Sequence, residues 1–337
     1  MHKLPEMSGV IIEGAVAGSN ANVMSINRQV TVVMYHYVRD LEHSRFPGIK
    51  GLSLQRFRRQ LDHIQANFTP IGVEDVLDAL TSPKLELPAK SILLTFDDGY
   101  SDHFLNVFPM LDARGIRGCF FPSAQAVLEH TVLDVNKIQF VLATVHDVQH
   151  LLDQVLAGLD EFRSEYELLT REEYASAVTE QHRYDPREII LFKRLLQREL
   201  PEPVRTEIVR RLFAEYVTTD EASFACELYM SVEQLACMKH HGMHVGSHGY
   251  SHLWLNHVPR ETQKDEVDRS LDFLQQAGIG TKDWTMCYPY GGFNESILRV
   301  VEDRGCRLGF TVEARNANLD TDHRLALPRI DTNDLPS

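Results

Sequence analysis

Three short apolar runs, Thr31-Val-Val-Met-Tyr-His-Tyr-Val38, Ser91-Ile-Leu-Leu-Thr-Phe96 and Gly118-Cys-Phe-Phe121, alternate with stretches of helical spacing. Runs this rich in β-branched and aromatic residues read as buried strands. Between the first two, Ser53 is placed to cap a helix with Leu54, Phe57, Leu61 and Ile64 on one side. A second helix runs from about Val73 to Leu80. Ser101 to Arg114 then sets Phe104, Val107, Phe108 and Leu111 on one helical face, and Gly115 stops it. This β-α-β-α-β order predicts parallel strands joined by right-handed crossovers.

From Gln125 to about Tyr229 the rhythm breaks. That stretch is rich in Glu, Leu, Arg and Gln, has Gly158 as its one glycine, and reads as several helices. Alternation resumes after Ser231, with helices near 231–241 and 260–277 and strands near His244–Ser247, Trp284–Cys287 and Leu308–Thr311. A single α/β barrel of about 200 to 250 residues plus an insertion accounts for the 337 residues. We therefore expect a flexible leader over 1–27 and a barrel over 28–337, interrupted by a helical insertion over 125–230.

The net charge of −14 argues against nucleic acid or an anionic membrane surface as partner, since both require a basic face. No stretch approaches the roughly 20 apolar residues of a membrane span. Met1 to Asn27 lacks the apolar core of a secretory signal. The five cysteines are odd in number and show no CxxC spacing, which predicts buried, reduced thiols. Together these features predict a cytoplasmic protein.

Chemistry concentrates in three places. Thr95-Phe-Asp-Asp-Gly-Tyr100 puts two carboxylates at the C-terminal end of a strand, where parallel α/β folds build their sites. On a regular strand they would face opposite ways. Gly99 permits a turn that brings both to one cleft. Like charges this close favour separate roles, one bound to a cation and one free to take a proton. The plainer alternative is a helix N-cap. In Gly246-Ser-His-Gly-Tyr-Ser-His252, one helical turn would set His248 and His252 on the same side, a spacing suited to a shared metal. With 16 histidines in the chain, such a pair also arises by chance. An aspartate plus the pair would form a facial three-ligand set with open positions. In Cys287-Tyr-Pro-Tyr-Gly-Gly-Phe293, a turn fixed by Pro289 and Gly291 presents the Tyr290 N–H, either to an oxyanion or to nothing beyond ordinary packing.

In this order, the three segments resemble the motifs of the NodB-like polysaccharide deacetylases, carbohydrate esterase family 4. The likeness covers roughly Val30 to Tyr100 and Ser231 to Ile330, and Met34-Tyr-His-Tyr-Val38 is similar to the opening strand of many members. It implies a distorted (β/α)7-type barrel and one divalent metal, usually Zn2+, with Co2+, Ni2+ or Fe2+ as alternatives. By position it makes Asp97 the general base, Asp98, His248 and His252 the metal ligands, and Tyr290 the oxyanion donor. Two departures stand out. Many members carry, where this chain has Cys287, an arginine that steadies the base. Many also carry a histidine acid where Leu325-Ala-Leu-Pro328 ends in proline. His36 and His323 are candidate acids. His36 and Arg329 are candidate substrate-binding residues, with a structural ion pair the alternative for Arg329.

The resulting expectation is a metal-dependent hydrolase that removes an N-acetyl group from an amino sugar, on an intracellular precursor of a surface glycan. Deformylation, or deacylation of a non-sugar amide, fits the same chemistry. A catalytically silent glycan-binding protein fits the two departures. An iron(II) oxygenase fits the ligand set but leaves Asp97 without a task. The insertion is expected to close over the cleft, with Leu133–Lys137 within reach of the site.

Overall fold

The central strands form because their residues are apolar on both faces. β1 (Gln29–Tyr35), β2 (Ser91–Asp98) and β3 (Gly118–Pro122) lie side by side and parallel, with Val33 opposite Leu94 and Thr95 opposite Cys119. β4 (His244–Val245) adds to β3 through Cys119 and Phe120. β5 (Thr285–Cys287) and β6 (Leu308–Phe310) pair with each other. β7 (Ile330–Asp331) returns to β1. Single parallel bridges, Ser247 to Met286 and Phe310 to Leu327, join these pieces into a ring. The result is the expected distorted barrel, all parallel around its ring and held at two seams by one bridge each. This computed structural model describes residues 27–177 and 185–336. The expected leader lies outside the described residues except for Asn27, as do 178–184 of the expected insertion and Ser337.

Parity along the strands sorts side chains between two cores. Val32, Leu93, Phe121, Cys287, Phe310 and Leu327 share one cluster. Leu94 and Phe96 join Phe57, Leu61, Leu111 and Val267 of the surrounding helices in another. Each large side chain so buried contributes about 1.5–3 kcal/mol. The helix Leu54–Asn67 is capped as expected, Ser53 Oγ accepting from Arg56 N at 3.3 Å, and it buries Phe57, Leu61 and Ile64.

Several elements differ from expectation. The helix expected over Ser101–Arg114 is a π-turn, His103–Val107, followed by an α-helix over Phe108–Asp112. Pro109 has no N–H to offer a carbonyl four residues back, and the preceding turn widens instead. The first strand ends at Tyr35, and Val38 belongs to a separate pairing of Val38–Arg39 with Leu52–Ser53. β7 was not foreseen. Two residues following Pro328 and Arg329 carry no periodicity to read.

Between β3 and β4 the described residues are helical and hold no strand beyond the single bridge of Tyr229 to Tyr100. Two clusters hold this region. One is aliphatic, built on Ile138, Val141, Leu151, Leu195 and Leu212. The other is aromatic: Phe140 lies 4.9 Å from Phe46 and from Phe224 and 6.1 Å from Tyr37, which binds the helices to the end of β1. All five cysteines are unpaired. Among the described residues, no helix is long and apolar enough to cross a membrane.

Two buried histidines make the fold acid-sensitive. Burial lowers His103 to about 4 and His244 to about 3. Their ring nitrogens meet the His36 carbonyl at 2.9 Å and Thr285 Oγ1 at 2.8 Å. The unfolded chain binds these protons from about pH 6.5 downward and the folded chain does not, so stability falls as pH drops below 6.5. Each histidine adds a slope of up to about 1.4 kcal/mol per pH unit between pH 6 and 4. Urea midpoints measured over that range should fall with acid, and the slope should flatten in His103→Gln and in His244→Gln.

Candidate active site

Parity places Asp97 on the same side of β2 as Leu93 and Thr95, facing into the barrel, and would turn Asp98 outward. The backbone prevents this. Asp98 takes φ 70° and Gly99 φ 74°, so the strand ends in a left-handed turn and both carboxylates line one cleft. The turn thus begins one residue earlier than Gly99. Gly99 itself is required by space, since a Cβ there would lie 2.7 Å from Pro122 Cβ. A non-glycine residue held at positive φ stores about 1–3 kcal/mol and persists only where its surroundings enforce it.

The surroundings of Asp98 do so through a buried relay. Tyr100 OH donates to Asp98 Oδ2. Asn136 Nδ2 donates to Tyr100 OH at 2.8 Å, and Tyr229 OH donates to Asn136 Oδ1 at 2.5 Å. Burial and the neighbouring Asp98 push the Tyr100 phenol well up, which keeps it a donor. No pattern in the sequence gives Tyr100 a task, and Leu133–Lys137 is expected within reach of the site. The structure makes Asn136 the residue of that segment that acts on Asp98.

His248 and His252 do come together, their ring centroids 4.8 Å apart, but not on a helix. The residues from Gly246 to Trp254 form an irregular loop with Gly249 at φ 73° and His252 at φ 60°. A helix is excluded because the loop amides bond elsewhere. The buried Glu266 carboxylate accepts from Tyr250 N at 3.0 Å and Ser251 N at 2.9 Å, and Ser247 Oγ accepts from Gly249 N at 3.1 Å. The ring of His248 is fixed by a 2.7 Å hydrogen bond between Nδ1 and the Cys287 carbonyl, which leaves Nε2 for the cleft.

These residues fit a metal ion. Nε2 of His248 and Nε2 of His252 each stand 3.4 Å from Asp98 Oδ1. Two ligand atoms bound at about 2.0–2.1 Å to one tetrahedral ion stand about 3.3 Å apart. Asp98 Oδ1 is buried and has no hydrogen-bond partner in the protein, a loss that a cation would make good. Burial tends to raise the Asp98 carboxyl, and the two imidazoles hold it well below the usual carboxylate range. Asp97, His248 and Cys287 also lie close enough to form a set. That set is the poorer one. Burial pushes the Cys287 thiol up, and Asp97 is engaged elsewhere.

Asp97 is engaged by Arg329. Nη1 reaches Asp97 Oδ1 at 2.9 Å and Nη2 reaches Oδ2 at 2.8 Å, with Nη1 also 3.0 Å from Thr95 Oγ1 and Nε 2.8 Å from the Thr311 carbonyl. Arg329 is 1% exposed. It lines the cleft, and its nitrogens are engaged by the carboxylate and its neighbours, as the ion-pair alternative describes. Burial alone would raise Asp97, and the guanidinium offsets it, bringing the carboxyl to about 2. Asp97 is therefore an anion at neutral pH, held in one orientation by a two-pronged clasp.

Tyr290 takes φ 57°, ψ 11° inside the Pro289–Gly291 turn. The backbone bonds of that turn run from Tyr288, Gly291 and Gly292, none from Tyr290. Its ring stacks on Trp254 at 4.5 Å and meets His252 edge-on at 4.7 Å. His36 lines the cleft, which encloses about 340 Å3. His323 does not. It sits in the turn before Leu325, where its Nδ1 accepts from Leu325 N at 3.3 Å.

A family model described as polysaccharide deacetylase matches residues 84–164 and 213–309, just over half of the chain. YxkH of Bacillus subtilis, a protein bearing a polysaccharide deacetylase name, is 32% identical over 97 residues, 27% of this chain and 33% of that protein. The poly-β-1,6-N-acetyl-D-glucosamine N-deacetylase of Escherichia coli K12 is 32% identical over 83 residues, 24% of this chain and 12% of that enzyme. The chain thus spans a third or less of these relatives. The deacetylase PplD of Streptococcus pyogenes, solved with acetate, superposes with a TM-score of 0.53 at 17% identity, covering 92% of this chain and 93% of its own. IcaB from Ammonifex degensii gives 0.52 at 19%, covering 91% and 93%. At these identities the structural likeness is one of fold.

Two outcomes follow from the geometry. Purified protein equilibrated with Zn2+ or Co2+ should hold one ion per chain by elemental analysis. Occupancy should be lost in Asp98→Ala and His248→Ala and kept in Asp97→Asn. Removing one partner of the buried Asp97–Arg329 pair leaves a charge uncompensated, at a cost of about 3–5 kcal/mol. Urea unfolding should show that loss in Arg329→Met, and most of it should be recovered in Arg329→Met combined with Asp97→Asn.

Proposed function

The chain belongs to the polysaccharide deacetylase family, and from that membership and the cleft geometry we propose that it is a divalent-metal-dependent hydrolase removing the N-acetyl group of an amino sugar. The observation that carries this reading is the pairing of two neighbouring carboxylates in unlike settings. Asp98 faces two imidazole nitrogens at 3.4 Å, while Asp97, clasped by Arg329, stays outside that set. An ion held by Asp98, His248 and His252 would polarise the amide carbonyl and acidify a water, with Zn2+ our assignment from the ligand types.

The chain's own groups divide the remaining work. Asp97 accepts the proton of the attacking water at its carboxylate. Arg329 keeps that carboxylate ionised and oriented, and so takes over the task of the arginine that other members carry at the position of Cys287. It is a positioning residue, acting through Asp97. The Tyr290 N–H donates to the oxygen that gains charge as water adds to the acyl carbon. When the C–N bond breaks, the leaving nitrogen needs a proton. We assign that proton to His36, which follows β1 and lines the cleft. His323 does not. The arginine clasp also weighs against a silent binding protein, because it restores a feature whose loss motivated that reading.

The test is acetate release from N-acetylated amino sugars by protein loaded with zinc or cobalt. Asp97→Asn should lower kcat by at least about a thousandfold with metal retained, within the reach of one lost base and its electrostatics. Arg329→Lys should lower kcat more than it raises KM. Arginine restored at 287, in Arg329→Met combined with Cys287→Arg, should recover part of the rate. Binding of the sugar without release of acetate from wild-type protein would sink the hydrolase reading.

A further inference from the structure

The hydrogen bonds behind Asp98 have a fixed direction, because they start from a backbone amide. Leu133 N donates to Tyr229 OH at 3.0 Å. The Tyr229 hydrogen goes on to Asn136 Oδ1. An amide whose oxygen is so engaged presents its NH2 on the other side. Asn136 Nδ2 accordingly lies 2.8 Å from Tyr100 OH and 3.1 Å from Oε1 of Gln139, a residue that lines the cleft. Tyr37 OH donates to the same Gln139 oxygen at 2.8 Å. Tyr100 OH receives a hydrogen from Asn136 and gives its own to Asp98 Oδ2.

Packing holds this chain of donors in place. Tyr100 and Asn136 are fully buried, and Tyr37 and Tyr229 nearly so. The Tyr100 ring is stacked by Tyr37 at 4.0 Å and by Tyr229 at 6.1 Å. The two oxygens of Asp98 therefore have unlike surroundings. Oδ2 accepts from a phenol that is itself pinned. Oδ1 is buried with no hydrogen-bond partner among the described residues, and it is the oxygen that stands 3.4 Å from Nε2 of both histidines. Turning the carboxylate to offer both oxygens to one ion would pull Oδ2 off the Tyr100 hydroxyl.

We infer that Tyr100 is a positioning residue that confines Asp98 to a single oxygen on the metal ion. A carboxylate bound through both oxygens takes two positions of a coordination shell. Held to one, Asp98 fills three positions together with His248 and His252 and leaves the remainder to water and the acyl oxygen. The donor that aims Tyr100 comes from the helical region between β3 and β4, so those helices take part in setting how many ligands the ion has. The inference rests on the ion of the deacetylase reading and deepens it, by naming what keeps a position open for the reaction.

The test pairs a crystal structure of the full-length, zinc-loaded protein with the visible absorption of the Co2+ form, for wild type and Tyr100→Phe. In wild type, Oδ1 should lie about 2.0–2.2 Å from the ion, with Oδ2 outside bonding distance. Tyr100→Phe removes one hydroxyl and leaves Asn136 Nδ2 its bond to Gln139, so the network retains its anchor. In that variant Oδ2 should move onto the ion, and the Co2+ bands should weaken and shift as the shell gains a ligand. Acetate release by the variant should fall about 10–100-fold in kcat with zinc occupancy kept, the usual effect of losing a group that orients a metal ligand. Should Tyr100→Phe not fold, the wild-type structure decides alone. Both oxygens bound to the ion in wild type, or unchanged Co2+ bands in the variant, overturn the inference and leave the deacetylase standing. No acetate from wild-type protein, with the ion held through Oδ1 alone and the bands changed in the variant, overturns the deacetylase and leaves the role of Tyr100. Wild-type protein that holds no ion at these residues overturns both.

Discussion

A left-handed backbone turn at the end of one buried strand governs the site. Side chains on a strand alternate, so consecutive aspartates in regular geometry belong to different compartments, one inside the barrel and one among the outer helices. At Asp98 the chain abandons that geometry. The strain is enforced from outside, by a tyrosine that donates to Asp98 and an asparagine and second tyrosine that hold the first in place. Asp98 and its supports are contributed by β2, the turn after it and the helical region between β3 and β4. The helices are therefore part of the architecture of the ligand set as well as a wall of the cleft.

The clasp on Asp97 comes from a part of the chain outside all three motifs. The family resemblance implies an arginine in many members at the position of Cys287, which here lies on β5. In this chain a guanidinium arrives from Arg329, just before β7, and reaches Asp97 with both terminal nitrogens. The contact is a buried guanidinium against a buried carboxylate. Neither charge is tolerable there alone. Either strand can supply the cation because both border the interior around Asp97.

Residues adjacent in sequence were legible and residues brought together by the ring were not. The two aspartates, the two histidines and the Tyr290 turn each announce themselves within a few residues and at a strand end, and the structure gathers all of them at one cleft. The means by which His252 joins His248 was misread, because the carboxylate that captures the loop amides, Glu266, lies on a later helix. Arg329 stands 232 residues from Asp97, and no local pattern signals such a partner. Asn136 and Tyr229 are 93 apart. β7 is too short to carry a period, and the widened turn after Tyr100 depended on weighing Pro109 against a strong apolar face. Strand interiors follow from composition, whereas seams, loops and long-range ion pairs follow from closure.

The two thin seams have a mechanical meaning. The β5–β6 pair is tied to each flank of the ring by a single bridge, Ser247 to Met286 on one side and Phe310 to Leu327 on the other. This pair carries the Tyr290 turn, whereas Asp98 belongs to the continuous sheet of β1 to β4 and the histidines to the loop that follows it. The pair that bears the amide donor thus joins the sheet that bears Asp98 through few backbone bonds, and one of its own carbonyls, that of Cys287, orients the ring of His248. Any displacement of that pair would shift the donor and the ring of His248 together, so the place of the amide donor and the shape of the ligand set are coupled properties of this barrel.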